Sequence, residues 1–293
     1  MTTHSGPIVA AKDSLIAIDC SRCGFIHLDP IPTDDPYTSG EYHRNVKPDM
    51  GKEYDEDGKW WDAVYGDWLS MVDINLFIDI PYYLLDLLDT GAGTGHFVKY
   101  AYDHGWMASG IESDPYIVRE ELGIANKRYI DVVIGKWVVI SAHWVLEHLP
   151  DPVHFLRWSR ERLTDNGLLL LTIPNDFSNI QMTYRDIANG AGSLDSYWLN
   201  EHHNNYWNNV SFTRLLKSNG YEVLARYGSW EPELALLAGR DYLNDHSLGR
   251  KLHADRMARD LAMTREERLQ KYLKLGEEGR GRDLTFLARK VGQ

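Results

Sequence analysis

The spacing of apolar residues changes twice along the chain, and the changes divide it. Up to about residue 80, Pro, Gly, Asp and aromatic positions show no long periodic run until Trp60. There Trp60, Trp61, Val64, Tyr65, Trp68, Leu69, Val72 and Leu76 recur at helical spacing, which predicts a helix over 59–76 with a broad aromatic stripe. Such a stripe buries against a neighbouring layer or walls a ligand pocket. From Tyr83 the pattern becomes short apolar runs separated by amphipathic stretches, the alternation of a parallel sheet with crossover helices. Strands are predicted at 84–90, 107–112, 130–134, 138–142 and 168–173, with helices at 96–104, 115–122 and 152–163. The last helix closes at the turn Thr164-Asp165-Asn166-Gly167. A further helix over 212–218 ends at Asn219-Gly220, before a strand at 221–227.

Residues 232–278 are charged and helical in pattern, and a loop of that length inside a compact domain is implausible. They are predicted as a helical insertion whose Arg-rich segments, Arg256 to Arg259 and Arg265 to Arg268, form solvated faces. The alternating segment 283–290 then pairs with 221–227 as an antiparallel hairpin. The expected organisation is a cover over 1–80, a main domain over 81–230, an insertion over 231–282 and a closing strand over 283–293.

Composition narrows the function classes. With 43% apolar and 25% charged residues, the 293-residue chain is an ordinary globular protein. A formal charge of −12 opposes attraction to nucleic acid or to anionic membrane surfaces, so neither is an expected partner. No apolar stretch is long enough to span a bilayer, and residues 1–12 lack the blocks of a signal peptide, so a cytoplasmic location is expected. The two cysteines, in a single Cys-x-x-Cys, fit a reducing compartment.

The chemistry concentrates where the first apolar strand runs into Asp89-Thr90-Gly91-Ala92-Gly93-Thr94-Gly95. Glycines there permit a tight turn and let a ligand approach the backbone at a helix N-terminus. Glu112 ends the next strand twenty-one positions after Gly91, placed for the two hydroxyls of a ribose, while Ser113 or Asp114 is the N-cap of the helix that begins at Pro115. A dinucleotide turn would want glycine where His96 stands. An acid at Asp89 repels pyrophosphate but suits the ammonium of a methionine, which favours S-adenosylmethionine over a nicotinamide cofactor.

These residues, with Trp144-Val145-Leu146-Glu147-His148-Leu149-Pro150-Asp151-Pro152, resemble the class I S-adenosylmethionine-dependent methyltransferases. The Val-Leu-Glu-His-Leu segment resembles their small-molecule branch, which includes ubiquinone-biosynthesis-like and sugar methyltransferases. The resemblance implies a Rossmann-like, mostly parallel seven-stranded α/β sheet and methyl transfer to a small-molecule acceptor, by O- or C-methylation of a sugar or related metabolite. It places the cofactor on Asp89, Gly91, Ala92, Gly93, Gly95, Glu112 and Ser113, with Ala142 and His143 beside it. Glu147 and His148 are expected mainly to fix their loop. The family's adenine-holding residue after the third strand has only Asp131 as a stand-in, in a shortened segment. His202, His203 and Tyr206 match the region over the acceptor and are the expected catalytic residues. Cys20-Ser21-Arg22-Cys23 resembles the second half of a zinc-ribbon cover whose first Cys pair is missing, with His4 and His27 as conceivable substitutes; a metal-free remnant is expected. A catalytically degenerate binding protein on this fold and a nicotinamide-dependent oxidoreductase are the alternative readings.

Overall fold

The computed structural model describes residues 4–32, 37–46, 56–76, 85–118, 120–132 and 134–292. The predicted start of the first strand, at Leu84, and the boundary at 80/81 lie outside the described residues.

The central sheet has seven strands. In chain order they are β4 (Asp86–Thr90), β5 (Met107–Glu112), β6 (Ile124–Asn126), β7 (Trp137–His143), β8 (Leu163–Pro174), β10 (Tyr221–Gly228) and β11 (Asp283–Lys290). Their spatial order is β10-β11-β8-β7-β4-β5-β6. The five strands from β4 to β8 run parallel, and β11 inserts antiparallel between β8 and β10. This is the predicted sheet with its closing hairpin. Parallel strands covered on both faces must be apolar throughout, which is why 168–173 reads as an unbroken apolar run.

Helix α1 (Gly58–Asn75), α2 (His96–Asp103) and α8 (Arg265–Glu277) cover one face. Helices α3 (Pro152–Arg162) and α5 (Asn209–Ser218) cover the other. The remaining helices are α4 (Asn179–Asn189), α6 (Glu233–Leu237) and α7 (His246–Ala262). The aromatic stripe of α1 is mostly core, with Trp60, Tyr65 and Trp68 buried against the sheet beside Phe97 and Trp106, and its Trp60, Trp61, Val64 and Trp68 also line a pocket with Trp144 and Asp283.

Three local expectations are corrected. The third strand is Ile124–Asn126; beyond it Tyr129 packs on α3, 5.2 Å from Phe155 and 5.3 Å from Trp158, while Ile130 and Ile134 are exposed. The helix expected over 115–122 is reduced to a single 3-10 turn, Glu120–Leu122; β-branched Ile117 and Val118 disfavour a helix there. The turn predicted at Thr164 to Gly167 lies within β8. The helical insertion forms as α6 to α8, but two of its arginines are not solvated. Arg256 stacks over the Trp60 ring at 4.4 Å, and Arg268 is buried with both its contacts to Asp67 at 2.8 Å.

The N-terminal cover is a second, antiparallel sheet that apolar periodicity did not announce. Strands β1 (Ile8–Lys12), β2 (Leu15–Cys20) and β3 (Phe25–Leu28) form it, joined at the edge by β9 (Asn205–Tyr206) from the loop after β8. Strands of four to six residues are too short to show a period, although the tight turn between Lys12 and Leu15 was a legible signal.

Asp67 of α1 is fully buried and accepts from Arg268 of α8 and from the Tyr227 hydroxyl at 3.0 Å. Removing the guanidinium leaves that carboxylate uncompensated. Arg268→Ala is therefore expected to cost about 3–5 kcal/mol in urea unfolding. The paired change Asp67→Leu with Arg268→Met is expected to recover most of that loss.

Candidate active site

The direction of the sheet order reverses between β4 and β7, and in such sheets a crevice opens beyond the carboxyl ends of the strands. The residues lining it follow from the turns after β4, β5 and β7. After β4 the N–H groups of Gly91 and Ala92 both donate to the Ile111 carbonyl, at 2.8 and 3.0 Å, folding the chain back on itself. Gly91 has a φ of 72°, and a Cβ there would lie 2.4 Å from a Val145 methyl, so only glycine fits. The turn thereby sits directly against the loop after β7.

Glu112 joins two of these turns. Its Oε2 accepts from the Gly93 N–H and its Oε1 from the Asp114 N–H, each at 2.9 Å, with the Ser113 hydroxyl 3.4 Å away. Asp114 in turn accepts from the Tyr116 N–H at 2.8 Å, a turn contact without the helix it was expected to cap, and pairs with His43 of the cover at 2.5 Å. Asp89 is buried, with Oδ1 accepting from Ser141 at 2.7 Å. Burial pushes its carboxyl up to about 7, against the Ser141 hydrogen bond, and nearby Glu112 adds to the rise.

Ala142 packs wholly into the core, so only its backbone can border a ligand. His143 stacks on Trp68 at 4.2 Å and shares a hydrogen bond with Thr172 at 2.8 Å; burial among these rings lowers its pKa to about 3, keeping it neutral. Asp131 is held by Arg128 at 3.0 and 3.2 Å on an exposed turn. The residue at the end of the third strand is Asn126, whose amide donates to the Glu112 and Ser113 carbonyls at 3.1 and 3.2 Å.

Beyond β7 the chain makes a 3-10 turn, Leu146–His148, and the loop after β8 clamps it. Asn204 donates to the His148 carbonyl at 2.7 Å, and Asn205 to the Leu146 and Leu149 carbonyls at 3.1 and 2.6 Å. The Asn pair thus anchors β9 to the Glu147-His148 segment. His148 Nδ1 lies 2.6 Å from the His202 carbonyl, which can only accept, so Nδ1 carries the proton and a neutral ring has its lone pair on Nε2. The Tyr37 hydroxyl is 2.7 Å from the same nitrogen. The His203 ring lies 4.9 Å from that of His148. Glu147, His148 and His203 each offer a ligating atom within 4.8 Å of the others, a set able to share a proton or hold a cation. His202 places its ring 5.1 Å from Tyr42.

Tyr206 sits elsewhere. It is buried, bonded through its hydroxyl to the Asn200 backbone at 3.1 Å and packed near Phe177, and burial raises its pKa. Its place on β9 turns the side chain into the small sheet. Residues that the sequence did not single out are Tyr37, Tyr42, His43 and Asn126. The cover residues meet His148, His202 and Asp114 far away in sequence, and Asn126 was hidden by the misplaced third strand.

A family model, the methyltransferase domain, matches residues 50–226. The chain belongs to this methyltransferase family. Its fold is that of the class I S-adenosylmethionine-dependent methyltransferases. Among solved structures this methyltransferase is similar to the plantazolicin methyltransferase BamL in complex with a substrate analogue and S-adenosylhomocysteine. Identity is 15%, with 86% of this chain and 93% of that one covered and a TM-score of 0.52. It is likewise similar to magnesium protoporphyrin IX methyltransferase from Synechocystis PCC 6803. There identity is 11%, with 86% and 97% covered and a TM-score of 0.50. No curated protein sequence matches. Among the described residues, no helix is long and apolar enough to cross a membrane.

The raised Asp89 carboxyl implies a stability cost in the ligand-free protein. A folded pKa near 7 against about 3.9 unfolded means the contribution is fully present below about pH 4 and is lost as pH rises toward 7. Asp89→Asn is expected to raise the unfolding free energy at pH 8, by up to about 4 kcal/mol, with the gain shrinking as pH falls toward 4. A gain independent of pH in matched denaturation series would refute this.

Proposed function

We propose that this methyltransferase transfers a methyl group to a hydroxyl or acidic carbon of a small polar acceptor, a sugar or related metabolite, with His148 as the general base. The reading is carried by one juxtaposition: the Gly91–Glu112 crevice adjoins, through Val145, a cluster of Tyr37, Tyr42, Glu147, His148, His202 and His203. Aromatic rings interleaved with polar groups suit an acceptor rich in hydroxyls.

S-adenosylmethionine supplies a methyl group on a good sulfonium leaving group, so the protein's work is positioning and proton removal. Glu112, already held by two backbone N–H groups, retains lone pairs for the ribose hydroxyls. Gly91 and Gly93 let the methionine part approach the backbone, Ala92 and Gly95 shape the same turn, and an ionised Asp89 attracts its ammonium. Asn126 stands at the adenine end. Toward the acceptor, His148 takes the proton on Nε2 while the His202 carbonyl holds Nδ1–H. His203 and the Glu147 carboxylate, beside it, stabilise the resulting imidazolium. Tyr37 and His202 orient this group.

Titration calorimetry with S-adenosylhomocysteine tests the cofactor half. The wild type is expected to bind, Glu112→Ala to bind about 10–100-fold more weakly, and Asp89→Asn to lose a wild-type rise in affinity through pH 7. A folded wild type that fails to bind would contradict the assignment. For the acceptor half, His148→Ala is expected to lower turnover about 10²–10⁴-fold with unchanged S-adenosylhomocysteine affinity. Equal turnover in His148→Ala would remove it as the base.

A further inference from the structure

Four side chains of the small N-terminal sheet converge away from the crevice. We propose that His4, Cys20, Cys23 and His27 form a structural zinc site that fixes the cover onto the acceptor loop. The ligating atoms of all four lie within 4.8 Å of one another. His4 Nδ1 is 3.0 Å from His27 Nε2, 3.6 Å from Cys20 Sγ and 3.4 Å from Cys23 Sγ. An imidazole nitrogen has one hydrogen or one lone pair and cannot satisfy three neighbours by hydrogen bonding. A tetrahedral ion explains the set. With Zn–S near 2.3 Å and Zn–N near 2.0–2.1 Å, sulfur and nitrogen ligands stand about 3.6 Å apart and two nitrogens about 3.3 Å apart. The sulfur distances match, and the histidine pair needs to open by only a few tenths of an ångström.

The backbone is built for these ligands. Cys20 ends β2 and Cys23 lies in the turn before β3, where Gly24 adopts a φ of 75° and its N–H donates to the Cys20 carbonyl at 2.8 Å. Backbone N–H groups of Cys23, Arg22 and Ser5 are aimed at the Cys20 sulfur. His4 reaches the hairpin because Gly6 lies flat on it: a Cβ on Gly6 would sit 1.9 Å from the Asp19 oxygen. His27 is buried, and its Nδ1 bonds the Leu28 carbonyl at 2.7 Å, which fixes Nδ1–H and leaves Nε2 as the ligand atom. Both cysteines are free thiols. Two thiolates and two imidazoles in a tetrahedron favour zinc over harder cations. The sequence offered a half knuckle; the fold supplies the other two ligands from His4 and His27.

The site sits at the joint between cover and acceptor loop. His27 pairs with Asn205 and Ile26 with Tyr206 across β3 and β9, and the Leu28 N–H donates to the Asn204 carbonyl at 2.9 Å. Asn204 and Asn205 are the residues that clamp the Glu147-His148 turn.

The test is metal analysis of the full-length protein, prepared without a histidine tag and under reducing conditions. About one zinc per chain is expected, falling below a tenth of that in Cys20→Ser/Cys23→Ser and in His27→Ala. The cobalt-exchanged wild type is expected to show the intense visible bands of a tetrahedral site with sulfur-to-cobalt charge transfer. Chelation is expected to raise amide hydrogen exchange in β1 to β3 and β9 while leaving β4 and β7 protected. A folded, reduced wild type that carries no zinc and takes none up would overturn the proposal. Stoichiometric zinc retained in Cys20→Ser/Cys23→Ser would overturn it too, and would move the metal to another site.

Discussion

The carboxylate of Glu112 is the tie on which the crevice depends. By accepting one N–H from the turn after β4 and one from the turn after β5, it holds two strand ends in a fixed relation. Charged hydrogen bonds of this kind are each worth roughly 1.5–3 kcal/mol and set geometry as well as energy. The approach of Val145 to Gly91 fixes the third strand end. With those contacts set, the ends of β4 and β5 and the entry of the Glu147-His148 turn are no longer independent of one another.

A second layer of constraint comes from the cover. His43 meets Asp114 two residues after Glu112, and Tyr37 meets His148 in the cluster with Glu147 and His203. Meanwhile β3 captures β9, and the adjacent asparagines capture the turn that carries His148. Cofactor side and acceptor side are thus spanned by one N-terminal segment. The opposite face is tied differently, through buried ion pairing between α1 and α8 and the Trp60 hydrogen bond to Asp260 at 3.0 Å. That face serves packing; the polar chemistry gathers beneath the cover.

What the sequence made legible was the chemistry that is local in the chain. The Gly91 to Gly95 turn and Glu112 each announce themselves within a few residues, and the strands at 221–227 and 283–290 each show their own pattern although they pair across the helical insertion. The third strand was misplaced because three residues on a sheet edge give no period, whereas the apolar run at 130–134 resembles a strand although its Ile130 and Ile134 are exposed. Tyr206 was expected among the catalytic residues, but it is buried, with its hydroxyl on the Asn200 backbone. The amides of Asn204 and Asn205, which the sequence did not single out, are the clamp. His4 and Cys20 lie sixteen residues apart and meet only because two short strands fold back between them.

A crystal structure of the complex with S-adenosylhomocysteine tests the central claim most directly. The account predicts the ribose hydroxyls on Glu112, the amino-acid part over Gly91 to Gly93, and the thioether sulfur facing His148 across Val145. Electron density for the nucleoside away from Glu112, or a sulfur turned from the His148 cluster toward the Trp68 and Trp144 side, would contradict it.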